Sequence, residues 1–233
     1  MELTGVSRKR WILIASLLLL VAMLASMCLP WKPPKQFRAI TDTIPPCWRG
    51  ICPGQTTKAL LWDILHSLPE VSEGEIADSH PDSPVLSTGW RFDGARVPWY
   101  GITNCLYGHD AIAYCSFRYG GHSLRLRHVI GKFGEPEYLV PVVDSGDGPF
   151  LVVHAVYPRA GVIATLGPRR LPQDGIDVKP SDGVVGYDLF DPTLFDDLLA
   201  APYWLMQAPP EEVERSKLPW LGYGSYAWTP PSP

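Results

Sequence analysis

Between residues 122 and 143, HSLRLRHVIGKFGEPEYLVPVV, the spacing of hydrophobic positions changes from that of a helix to that of a strand. Leu126, Val129, Ile130 and Phe133 recur at i, i+3, i+4 and i+7, the apolar stripe of an amphipathic helix. Ser123 is placed to cap that helix through its hydroxyl. Gly134 suits the left-handed residue that closes a helix, and Pro136 prevents the helix from resuming. From Tyr138 to Val143 the pattern is that of a strand. An earlier stretch repeats the design: Leu61, Ile64, Leu65 and Leu68 form a stripe after a Thr56 or Thr57 cap, and Pro69 ends it.

The rest of the chain reads as short strands between turns. Strands are expected at 90–92, 102–106 and 111–119, then in a hairpin of 138–143 with 150–157, then at 162–166 and 184–190. Residues 72–88 and 167–183 are polar, Pro-containing loops. Asp191 is placed to cap a helix that has Pro192 at its first position. The segment 209–233 is Glu-rich and then rich in Trp and Tyr, which argues for docking on the folded body. Abundant Pro (25) and Gly (21) with only 19% charged residues fit this alternation of short elements and turns, not a helical bundle.

Residues 11–29, WILIASLLLLVAMLASMCL, carry no charge and approach the roughly 20 apolar residues needed to span a bilayer. The basic cluster Arg8-Lys9-Arg10 before them should stay cytoplasmic, which places the bulk of the chain outside. A cleaved signal peptide and a lipidated Cys28 are the rival readings; Met27 fits neither cleavage rule. Beyond residue 29 the chain has 17 basic and 23 acidic residues, a net charge of −6, with no electrostatic footprint for nucleic acid.

The four cysteines beyond the hydrophobic stretch, Cys47, Cys52, Cys105 and Cys115, are expected as disulfides in an oxidising compartment. The local pairing Cys47–Cys52 and Cys105–Cys115 is preferred because each pair flanks a plausible turn. Zinc is disfavoured, because the C-x₄-C and C-x₉-C spacings match zinc ribbons poorly. Asp144-Ser-Gly-Asp147-Gly and Asp174-Gly-Ile-Asp177 lack the alternating carboxylates of a calcium loop and read as turns. No cofactor or metal is expected. The histidines form no H-E-x-x-H, and neither G-x-S-x-G nor a P-loop is present. His66 and His128 are expected on the solvent side of helices, and His154 as a satisfied core histidine. Trp99, Tyr100, Tyr107, Trp220 and Tyr223 are the candidate recognition residues, since Trp and Tyr concentrate at binding hot spots.

Aligned at Leu61 and Leu126, the two helical stretches run Leu-x-x-Ile-Leu-x-x-Leu-Pro-Glu-Val and Leu-x-x-Val-Ile-x-x-Phe-Gly-Glu-Pro-Glu-Tyr. With Gly54-Gln55-Thr56 and Phe133-Gly134-Glu135-Pro136, the chain resembles the BamE/SmpA family of envelope lipoproteins and the tandem-unit β-lactamase inhibitor protein, both built on a helix followed by an antiparallel sheet. It also looks like membrane-anchored envelope proteins that begin Cys-Trp-x-Gly-Ile-x-Pro-Gly. The first unit departs from the pattern, since Leu68 meets Pro69 without the Gly. The resemblance implies a binding role in the envelope, not an enzyme, and carries over no particular residue.

These readings give an α+β protein: a cytoplasmic segment 1–10, a transmembrane helix 11–29, a Pro-rich stalk 30–46, two helix-then-antiparallel-sheet units at 47–121 and 122–208, and an aromatic tail 209–233. The expected role is a membrane-anchored module outside the cytoplasm that binds an envelope protein or peptide. An envelope assembly factor, or a hydrolase with a site drawn from distant segments, is the alternative.

Overall fold

The computed structural model describes residues 14–19, 33–69, 71, 77–78, 86–91, 99–105, 110–119, 124–144, 149–172, 174–200 and 208–229; for 77–78, 86–91, 99–105 and 119 the backbone alone is described. Two compact units divide the chain, residues 1–32 and 33–233. In the first, the described residues 14–19 are helical. No helix among the described residues is long and apolar enough to cross a membrane. The remainder of the 11–29 stretch lies outside them.

The second unit is α+β. Helices α1 (Lys35–Arg38) and α2 (Lys58–Ser67) precede strands β1 (Ala77–Asp78), β2 (Leu86–Arg91), β3 (Trp99–Cys105) and β4 (Ile112–Tyr119). Helix α3 (Leu126–Phe133) leads into β5 (Tyr138–Asp144), β6 (Phe150–Tyr157), β7 (Val162–Arg170), β8 (Ile176–Val178) and β9 (Val184–Phe190). Then come α4 (Phe195–Ala200), α5 (Pro210–Ser216), β10 (Leu218–Pro219) and β11 (Gly224–Tyr226). Among the described residues nine strands form one sheet in the order β1-β2-β3-β4-β9-β7-β6-β5-β10, and β11 pairs with β8 apart from it. Each recorded strand pair is antiparallel. The central join is β4 to β9, with Phe117 opposite Tyr187.

Local chemistry explains the helix ends. Thr57 caps α2 by accepting from the Leu60 N–H. Helix α3 starts at Leu126, capped from Arg125, whose N–H donates to His128 Nδ1 at 3.2 Å. Ser123, expected as this cap, lies outside the described residues. Gly134 closes α3 at φ +81, ψ −166, a conformation reserved to glycine. Asp191 accepts from the Thr193 N–H and Oγ1 at 2.9 and 2.8 Å, so Pro192 opens a 3₁₀ turn that continues into α4.

Period-two alternation divides the sheet into two apolar faces. Leu61 and Leu65 of α2 and Leu126 and Val129 of α3 join Phe117, Ala155, Ala164, Tyr187 and Leu189 in one buried cluster. On the opposite face Tyr114, Val140, Val156, Ile163 and Phe190 are covered by Phe195 and Leu198 of α4 and Val213 of α5. Aligned at Leu61 and Leu126, Leu65 corresponds to Ile130. Yet Leu65 is fully buried whereas Ile130 is half-buried, and Val129 takes the deeper place. Helix α3 is therefore turned by about one residue relative to the shared stripe.

Two expectations are corrected, and a third is met in a more regular form. Residues 33–46 are not a free stalk: Phe37 and Ile40 are buried in the main core, and Phe37 meets Phe133 and Tyr187 edge to face at 6.1 and 5.7 Å. An aromatic side chain of that size is more stable packed there than in water. Cys115 is a free thiol in the core. The β3–β4 register places it opposite Thr103, while Cys105 stands opposite Ile112 across a bulge, so the two cysteines are not cross-strand partners and the expected bridge does not form. The segment 209–233 adds α5, β10 and β11 to the body, which is the expected docking in a more regular form. The other pair, Cys47–Cys52, is bonded. It staples a two-residue turn in which Arg49 and Gly50 both have positive φ and the Trp48 and Ile51 backbones exchange hydrogen bonds.

Candidate binding groove

Helices α1 and α3 flank an open groove of about 510 Å³, lined by Phe37, Arg38, Asp42, Arg127, His128, Gly131 and Lys132, with Pro33 at its margin. The sequence builds it from two sides. Phe37 anchors α1 in the core and so turns its neighbour Arg38 to solvent. On α3 the buried stripe of Leu126 and Val129 leaves Arg127 and Gly131, one turn apart, on the outer side. Lys132 reaches across to Asp42 at 2.6 Å. Among the described residues no ion pair or hydrogen bond holds the Arg38 or Arg127 side chain. Arg127 also lies within electrostatic reach of Tyr223, whose hydroxyl is pushed up by burial and by Glu135 while Arg127 pulls it down.

A second depression, of about 390 Å³, gathers Arg169, Arg170, Asp177, Lys179 and Asp182 at the β7–β8 end. Its charges largely neutralise one another: Arg169 pairs with Asp182 at 2.7 Å and Lys179 with Asp177 at 2.8 Å. A third polar cluster is internal. Arg118 pairs with the fully buried Asp188 at 3.0 Å. Burial pushes the Asp188 carboxyl above its ordinary range, against the pull of Arg118 and Ser116. Also within the sheet, His154, buried as expected, contacts Thr165 at 3.2 Å. Both pairs serve the sheet; among the described residues the second depression leaves one guanidinium group, Arg170, without an ion pair, and the α1–α3 groove leaves two, Arg38 and Arg127.

Of the expected recognition residues, Tyr107 and the side chains of Trp99 and Tyr100 lie outside the described residues. Trp220 is half-buried against the core, 5.6 Å edge to face from Tyr223. Tyr223 is 44% exposed and Leu221 79%, both in the turn before β11. The structure thus joins part of the aromatic tail to the neighbourhood of α3. Sequence reasoning missed Arg38, Arg127 and Gly131. Arg38 sat in a segment read as a stalk, and Gly131 left a signal that was readable: a glycine inside a helical pattern. No family model, curated protein or solved structure matches the chain.

Proposed function

We propose that this protein is a membrane-anchored module outside the cytoplasm that binds an acidic segment of an envelope protein or peptide in the α1–α3 groove. The observation that carries the reading is the pair of guanidinium groups, Arg38 and Arg127, that no ion pair or hydrogen bond holds among the described residues, in one open groove. They are concentrated there although the chain beyond residue 29 has 17 basic and 23 acidic residues. Arginine's planar fork suits bidentate recognition of carboxylates. The exposed Leu221 and Tyr223 nearby suit an apolar side chain of the same partner.

The location rests on the charge-free 11–29 stretch behind Arg8-Lys9-Arg10 and on the Cys47–Cys52 bond, which suits an oxidising compartment. The two-unit architecture is supported by the strand order. Helix α2 leads to strands ending at β4, and α3 to strands ending at β9, and these two last strands meet at the centre of the sheet. A helix followed by an antiparallel sheet is also what the sequence resemblance implies.

The test compares wild type with the double variant Arg38→Glu, Arg127→Glu, both full-length and cross-linked in intact cells. Proteins captured by the wild type and lost from an equally abundant, equally folded double variant support the groove. An unchanged set of captured proteins removes it. Retention of full-length chain in membranes after alkaline washing tests the anchor.

A further inference from the structure

We infer that the groove takes an extended acidic peptide whose main chain passes over Gly131, so that this glycine, together with Arg38 and Arg127, sets what binds. The inference rests on the binding role proposed for the groove and names its ligand. Gly131 is the sixth residue of the eight in α3, is exposed, and lines the groove. A Cβ built there meets no atom of the described residues within 4 Å, and its φ lies outside the left-handed region. Neither packing nor backbone conformation therefore calls for glycine. Other glycines have such a reason: Gly134 closes the helix at φ +81, and Gly186 is kept bare by Arg118, which a Cβ would approach within 2.8 Å. Apart from proline, glycine is the poorest residue for a helix interior. What its presence does provide is a bare strip of helix backbone on the groove wall, where another main chain can approach closely.

The geometry fits an extended chain. Arg127 and Gly131 are four residues apart on one helix face, about 6 Å along the axis. Two residues of extended peptide cover about the same distance. A ligand carboxylate on Arg127 therefore sets the peptide backbone over Gly131 two residues later. Arg38 on the opposite wall takes a carboxylate from the other side of the strand. The groove already displays this chemistry, since Asp42, 84% exposed, rests its own carboxylate on Lys132 at 2.6 Å. A lipid headgroup presents one compact anion and would gain nothing from the bare strip.

The experiment uses the full chain in phosphatidylcholine nanodiscs and fluorescence anisotropy with two labelled octapeptides, alternating Glu-Ala and alternating Lys-Ala; phosphatidylglycerol vesicles serve as competitor. The Glu-Ala peptide should bind and the Lys-Ala peptide should not. Arg38→Gln and Arg127→Gln should each weaken binding by about tenfold, the equivalent of 1.4 kcal/mol. Gly131→Leu should weaken it at least as much while the melting temperature holds or rises. Gly131→Ala should give a smaller loss with a higher melting temperature. If both arginine variants weaken binding but Gly131→Leu does not, the groove stands and the passage over Gly131 is wrong. If no variant changes Glu-Ala binding, or if the Lys-Ala peptide binds equally, the groove reading fails with it. Full displacement of the peptide by phosphatidylglycerol vesicles, with vesicle binding insensitive to Gly131→Leu, would identify a headgroup site and overturn the inference.

Discussion

Arg118 lies over the bare backbone of Gly186: a methyl group at that glycine would stand 2.8 Å from its Nη1 and 2.9 Å from its Cδ. The two residues face one another across the β4–β9 join, and this passage lets the guanidinium reach Asp188 at 3.0 Å. Asp188 is fully buried; among the described residues Oδ2 lacks a hydrogen-bond partner, while Arg118 and the Ser116 hydroxyl pull on its carboxyl. The bare backbone of Gly186 therefore lets the cation that pairs with Asp188 reach it at the centre of the sheet.

Arg118→Ala should destabilise the protein by about 3–5 kcal/mol, the usual cost of leaving a buried charge without its partner. Its pH dependence has a defined sign. Burial raises the Asp188 carboxyl in the folded chain. The native state thus holds this proton more tightly than the unfolded chain does, and stability falls as pH rises through that window. Removing Arg118 takes away the main opposing pull and extends the window upward. The variant's deficit should be larger at pH 8 than at pH 5, read from denaturant midpoints at the two values. Asp188→Asn should flatten the wild-type slope. Equal deficits at both pH values would show that the arginine acts through packing alone.

Two glycines three residues apart should respond with opposite signs. Gly131 has helical geometry and open space, so Gly131→Ala should stabilise by roughly 0.5–1 kcal/mol. Gly134 sits at φ +81, ψ −166, so Gly134→Ala should destabilise by about 1–3 kcal/mol. Thermal melts of both variants decide it, and a loss of similar size in both would mean that Gly131 is held by a contact of its own.

Elements set by local chemistry were legible in the sequence. The stripes at Leu61 and Leu126, the Thr57 and Asp191 caps, Gly134 and the β5–β6 hairpin all depend on residues within one or two turns of each other. Features set by distant pairing were not. Phe37 looked like part of a spacer because its partners, Phe133 and Tyr187, come far later in the chain. The groove required α1 to meet α3, a contact marked by Asp42 and Lys132, 90 residues apart. The β3–β4 register, which separates Cys105 from Cys115, turns on a bulge that the alternation of side chains does not announce.

The helices should also differ in how much their matched positions matter. Leu65→Ala should cost about 2–5 kcal/mol, since the side chain is fully buried among core residues. Ile130→Ala should cost less, because Ile130 is half-buried and Val129 fills the deeper site. Chemical denaturation of the two variants, with unchanged m-values, makes the comparison. A larger loss for Ile130→Ala would put α3 in the orientation its sequence alignment implied.

The cysteines should react in two distinct ways. Cys47 and Cys52 are joined, so non-reducing peptide mapping should recover them as one linked pair. In the chain-entropy account, closing so short a loop contributes about 2 kcal/mol, and Cys47→Ser with Cys52→Ser should lower stability by that order. Cys115 should behave in the opposite manner. It is fully buried beside Leu189 across the β4–β9 pair, and burial, reinforced by the nearby Asp188 charge, pushes its thiol well above the ordinary range. A thiol that stays protonated is a poor nucleophile, and one without access to solvent is poorer still. Native protein should leave Cys115 unmodified by maleimide, and denaturant should expose it to full labelling. Recovery of a Cys105–Cys115 peptide would require β3 to shift its register against β4, and would displace Thr103 from its place opposite Cys115.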